Sequence, residues 1–197
     1  MCEDIRPRDP EHEQHVDANM CNHRIRFGRG SAWLLALCGL CLSIQTLAEL
    51  PKESVLPLKL AVQAALHAER QCAKDGYQVS ASVVDRAGVL QVLVRGDGAG
   101  PHTVDSSRRK AYTAASLRVS THELAELISQ KPELQALEDM NSSILLLGGG
   151  FPVTMGGEVV GGIGVGGAPG TALDEACARA GLQHIGADTY QTASKAK

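Results

Sequence analysis

Apolar residues recur at helical spacing over residues 58–74. Leu58, Ala61, Val62, Ala65 and Cys72 fall on one stripe, and Lys59, Gln63, Arg70 and Lys74 lie away from it. Gly76 ends this helix. The pattern then changes to period two. Residues 78–85 and 89–95 alternate and are rich in Val, and Asp85-Arg86-Ala87-Gly88 between them is a turn, so the two form a hairpin. A glycine-rich loop over 96–101 leads to a helix over 104–117. Ser120 with Glu123 fits a capping box that opens a short helix through Ser129, and Pro132 opens another that ends near Met140. Residues 144–147 read as a short strand, interrupted by Gly148-Gly149-Gly150 and resumed over 152–155. Gly156-Gly157 turns the chain into a buried strand over 158–165. Thr171 and Asp174 cap a last helix that runs to about His184.

Strands that come as hairpins, with helices before, between and after them, predict an α+β fold. The expected form is one domain over 54–186 with a mainly antiparallel sheet flanked by helices, and the polar stretch 187–197 reads as a loose tail.

The front of the chain has a different character. Arg24, Arg26 and Arg29 precede an apolar run from Ala32 to Ile44, and Thr46 and Ala48 stand at the minus-three and minus-one positions of a cleavage site. This is the layout of a secretory signal peptide over 20–48. The run is shorter than the ~20 apolar residues a membrane span needs, so the mature chain is expected to have no stable span; an uncleaved anchor is the alternative. Residues 1–19 are acidic and carry His12 and His15, which suits no signal peptide, and Met20 reads as the true start with a gene-model extension before it. The expected location is periplasmic or secreted. Of six cysteines only Cys72 and Cys177 remain after cleavage near Ala48. An oxidising compartment permits a disulfide between them, and two small buried thiols are the other reading.

Composition narrows the function. Aromatics make up 3% of the chain and its formal net charge is -3, which leaves neither stacking platforms nor attraction for a phosphate backbone. No nucleic-acid partner is expected. The segment from Gly161 to Gly167 follows a strand and precedes a helix, but no second strand with an acidic residue follows, so it is no dinucleotide fingerprint. Its glycines let strand and helix approach closely or line a ligand. No Gly-x-Ser-x-Gly elbow and no zinc signature is present.

Four stretches in order carry a resemblance: Val83-Val84-Asp85-Arg86-Ala87-Gly88; Arg95-Gly96-Asp97-Gly98-Ala99; Lys110-Ala111-Tyr112-Thr113-Ala114-Ala115; and Gly148 to Val153 followed by Gly161–Gly167 and Asp174 to Gly181. Together they resemble the GlcG/HbpS-like family, which includes the C-terminal domain of PduO-type proteins and is also called the haem-degrading domain. One departure is Gly164-Val165-Gly166-Gly167, where members usually carry Ser before the last Gly pair; it is expected to alter a pocket wall and not the fold. The resemblance implies a profilin-like sheet, dimers or larger rings, and haem, or a similar small ligand, bound between subunits, with iron as a further ligand.

Haem iron takes an axial ligand, commonly His, and the propionates take cations. The resemblance points to Thr121 and His122 as the contact region, with His67 as second choice on a helix face shared with Leu60, Ala64 and Gln71. His184 reads as a packed core histidine, and His102 lies in a loop. Arg109 and Lys110 are the candidate cations. Lys110, the one that matches the family, meets either a propionate or an internal carboxylate such as Asp85 or Asp97. Glu123 and Glu126, at i and i+3, are candidate ligands for iron, or else a cap and a solvated acid. The expected function is an exported haem-binding protein that buffers or degrades haem. The alternative is an accessory enzyme or assembly protein acting on a small organic acid or aldehyde without haem.

Overall fold

The computed structural model describes residues 50–188 and Tyr190. The expected extension, signal peptide, four N-terminal cysteines and most of the tail lie outside those residues. Helix α1 (Leu58–Lys74) leads into strands β1 (Ser80–Asp85) and β2 (Leu90–Arg95). Helices α2 (His102–Leu117) and α3 (Thr121–Gln130) follow, then a 3₁₀ helix over Pro132–Asp139. Strands β3 (Gly150–Met155) and β4 (Glu158–Gly166) and helix α4 (Thr171–His184) complete the domain.

The four strands form one antiparallel sheet in the order β2-β1-β4-β3. Each predicted hairpin is present, and β1 joins them by pairing with β4, for example Ser82 opposite Gly164. Pro152 is tolerated in β3 because that strand pairs on one side only. Among the described residues no helix is long and apolar enough to cross a membrane.

The two faces of the sheet differ in chemistry, and that difference positions everything else. On one face Ala81, Val83, Ile163 and Val165 pack against Ala61, Ala64, Ala65 and Ala68 of α1 and Ala178 of α4. Cys72 and Cys177 join these two helices in a disulfide. On the other face β1 presents Ser80 and Ser82, whose hydroxyls pair with Thr103 and Ser107 of α2 at 2.7 and 2.8 Å. Beside them β4 presents glycines. A Cβ on Gly164 would lie 2.2 Å from the Ser107 carbonyl oxygen, and one on Gly162 would lie 2.3 Å from that of Ala111. Helix α2 therefore rests directly on strand backbone, a contact that only glycine allows.

Four expectations change. Residues 144–147 form no strand. Their backbone is held by α2 instead, with Leu145 N–H donating to Thr113 Oγ1 and Arg109 donating to the Ile144 carbonyl. The α1 core stripe is Ala61, Ala64, Ala65, Ala68 and Cys72, and Leu58 is exposed because its helical turn precedes the sheet contact. The N-cap of α4 is Gly170, without a side-chain cap, because Asp174 turns inward. Val165, which stands where family members usually carry Ser, packs in the buried core rather than in a pocket wall.

Candidate functional site

Helix α3 begins as the capping box requires: Ser120 Oγ accepts from Glu123 N–H. This fixes which side chains leave the surface. Thr121 points inward and is fully buried, and its Oγ1 accepts from Gly150 N–H. His122, one position on, faces out with 49% of its side chain exposed. Its Nε2 lies 3.2 Å from Glu126 Oε1 and its Nδ1 lies 3.8 Å from Glu175 Oε1 of α4. Glu175 is 14% exposed and also faces Arg179, whose guanidinium lies 4.2 Å over the Phe151 ring. Gly148 runs against the same carboxylate, since a Cβ there would sit 2.8 Å from Glu175 Oε1. Leu147, next in the chain, is exposed. An imidazole between two carboxylates, beside a guanidinium and an apolar side chain, thus forms an open face built from α3, α4 and the glycine segment.

The predicted cations do not reach this face. Lys110 is buried, with its side chain 2% exposed. Its Nζ donates to Asp174 Oδ2 at 2.8 Å and to the Val165 carbonyl at 2.9 Å. Of the two expected readings the internal ion pair is the observed one, and the partner is Asp174 rather than Asp85 or Asp97. Gly149 makes room for it: at φ +117° it carries no side chain that would press on the ammonium. The pair ties α2, on one face of the sheet, to α4 on the other. Burial pushes the Asp174 carboxyl above its ordinary range, opposed by the Lys110 ammonium and by the N–H groups of Ala168 and Gly167. Arg109 is turned to the Ile144 carbonyl and to Asp105. Thr121 and Lys110 are therefore structural supports of the site, because their polar atoms are used up inside the fold.

The two predicted iron ligands part company as well. Glu126 turns to His122, whereas Glu123 Oε2 accepts from Ser120 Oγ and from the Tyr190 phenol. Burial, with the Glu123 carboxylate next in importance, pushes that phenol up to about 12, so it stays a proton donor. Among the described residues no three His, Cys, Asp or Glu side chains gather as a metal site.

His67 lies on α1 beside the C-terminal end of α4, whereas His122 meets Glu175 in the first turns of that helix. Its ring stacks on that of His184, with centroids 4.1 Å apart and planes 9° apart. His184 is exposed at the end of α4 and is not the packed core histidine expected, because its position faces outward beyond the core stripe of Cys177, Ala178 and Leu182. The structure thus separates His67 from His122. Two clefts stand out among the described residues. One of about 120 Å³ lies between Glu53–Leu56 and the β1–β2 turn, and one of about 50 Å³ lies beside Tyr190. Neither is lined by His67 or His122, and both fall below the ~300–1,000 Å³ typical of ligand pockets. Glu175, Arg179 and Tyr190 were missed by sequence reasoning. Asp174-Glu175 stands in a stretch that carries the resemblance, but the local pattern marks only Asp174, as a helix cap.

The family comparison follows the same stretches. Residues 56–183 match the family described as haem degrading protein HbpS-like. An uncharacterized 15.0 kDa protein of Citrobacter freundii is 35% identical over 115 residues, which span 58% of this chain and 81% of that protein. The crystal structure of a double mutant of Streptomyces reticuli HbpS is 48% identical, with a TM-score of 0.64, covering 69% of this chain and 90% of that one. The crystal structure of a PduOC:heme complex is 26% identical, with a TM-score of 0.64, covering 70% of this chain and all of that one. The fold, the motif order and these matches agree, and the chain belongs to the HbpS-like haem degrading protein family.

Proposed function

We propose that this protein binds haem at the open face around His122, at a contact between two copies of the chain, and that it acts outside the cytoplasm. The observation that carries the reading is the exposed His122 imidazole, held by Glu126 and Glu175 on a fold shared with a relative solved as a haem complex. A carboxylate facing one ring nitrogen orients an imidazole and raises its basicity toward a metal on the other. Glu175, half enclosed by Gly148 and Arg179, suits that role, and Glu126, on the solvent side, would leave Nε2 to hold the iron. Arg179 supplies a cation for a propionate.

The donor set fits haem, but neither of the two clefts found among the described residues is large enough for it. Enclosure by a second copy would supply the missing walls, which is why the seat is placed between subunits. The proposal does not extend to a bare iron ion on Glu123 and Glu126, whose carboxylates face different partners. Export is supported by the signal-like sequence at the front and by the Cys72–Cys177 disulfide, since such bonds persist in oxidising compartments.

Bound haem itself supplies oxygen chemistry, and the chain's residues bind and orient it. Buffering and degradation are separated by one experiment. The haem-loaded protein is exposed to ascorbate and oxygen while the Soret band is followed. A stable band supports buffering, progressive loss supports degradation, and failure to form a loaded protein at all refutes the proposal.

A further inference from the structure

Asp188 and Tyr190 follow α4 and lie beyond the residues 56–183 that match the family. Asp188 is anchored on β3, the last strand of the sheet, and on the turn after it. Its N–H donates to the Thr154 carbonyl at 2.8 Å, and Gly157 N–H donates to its Oδ2 at 2.8 Å. Tyr190 then reaches α3. Its ring tilts against Phe151, with centroids 5.5 Å apart. Its hydroxyl accepts from Ser120 N–H at 2.9 Å and donates to Glu123 Oε2. One phenol thus holds both members of the capping box that opens α3. We propose that Tyr190 is a positioning residue for the His122 face: by clamping Ser120 and Glu123 to the edge of the sheet, it fixes the direction of α3 and so the placing of His122 against Glu175. The consequence for haem rests on the reading of His122 given above; the placing of the imidazole does not.

Three features support it. Helix α3 has 10 residues, and a helix so short depends on its tertiary ties. Those ties fall on separate sides. At about 100° per residue, buried Thr121 and Leu124 share the inner side, Ser120 and Glu123 share the side toward Tyr190, and His122 and Glu126 share a third. The inner contacts set the depth of the helix, and the directional bonds to the phenol oppose its rotation. The clamp also bears on α4. The Phe151 ring against which Tyr190 leans carries the Arg179 guanidinium at 4.2 Å, and Arg179 faces Glu175 at 3.8 Å. Both sides of the contact between His122 and Glu175 are therefore tied to one residue. The tie is lasting as well: burial, and then the bond to Glu123, push the phenol up to about 12, so it keeps its proton through neutral pH.

The test uses the full chain, first ligand-free and then with hemin. Tyr190→Phe keeps the ring on Phe151 and removes the hydroxyl, whereas Tyr190→Leu removes both. In Tyr190→Phe the Ser120 amide loses its acceptor and is expected to exchange with solvent about tenfold faster. The His122 ring resonances are expected to shift, while the thermal midpoint stays within about 5 °C of the parent. Hemin affinity is expected to fall about fivefold in both variants. A role in packing alone would spare Tyr190→Phe. The proposal is overturned if Tyr190→Phe leaves the His122 resonances as they are in the parent, or if, in a parent that binds hemin through His122, it leaves the affinity unchanged. If the parent takes up no hemin, or His122→Ala binds it as the parent does, the haem reading fails by itself, and the ligand-free resonances alone decide whether Tyr190 places His122.

Discussion

Replacing Lys110 by Met tests the internal framework of the site. The Lys110 and Asp174 side chains are 2% and 5% exposed and pair at 2.8 Å, so the substitution leaves a buried carboxylate facing only the N–H groups near residue 168. Removing one partner of a buried pair costs about 3–5 kcal/mol. In a domain of this size that lowers the midpoint of thermal unfolding by roughly 10–20 °C. The penalty should depend on pH in a definite direction. Burial already raises Asp174, and loss of the ammonium raises it further, so the folded state of the variant binds more protons than the unfolded state. Its stability is therefore highest in acid and falls as pH rises through the raised folded value, and the gap to the parent narrows toward pH 4. A double variant, Lys110→Met with Asp174→Leu, is expected to recover most of the loss, since an apolar pair of similar volume is often neutral. Urea unfolding at pH 5 and 7.5 decides the matter. A single-variant loss under about 1 kcal/mol at pH 7.5, or a gap that widens in acid, refutes the reasoning.

Other expectations follow from the same structure. Replacing both Cys72 and Cys177 by Ala opens a crosslink across 105 residues, and urea unfolding should show a loss of about 2–5 kcal/mol. Gly164→Ala places a methyl group 2.2 Å from the Ser107 carbonyl; because the obstacle is backbone, α2 must lift, and soluble yield and unfolding midpoint should both fall sharply. By NMR titration His67 should lose its proton below pH 6.5, and His184→Gln should move that midpoint upward. Because the His67 value is lowered, its contribution to stability is present above its unfolded value and declines as pH falls through the window below it.

The fold was legible because period and punctuation agree along most of the chain. Helix α1 has the predicted bounds, and the Ser120–Glu123 box and the Gly156-Gly157 turn lie where local chemistry places them. The segment over 144–147 misled because an apolar run of four residues has no inherent partner, and here α2 side chains supply one. The glycines of β4 were recognised as either packing or ligand-lining, and only the register against α2 decides between these. The site was less legible. Lys110 stands out in the sequence as a candidate cation, but its partner Asp174 is 64 residues away on another layer, beyond any local pattern. Glu175 and Tyr190 reach α3 only through tertiary folding, so no spacing in the chain could reveal them.

The central claim is that His122 ligates haem, and hemin titration of the parent and of His122→Ala tests it most directly. The account predicts a Soret band that shifts and saturates at no more than one haem per subunit in the parent, with affinity at least tenfold weaker in the variant. An identical titration in both proteins, or no spectral shift in the parent, would contradict it.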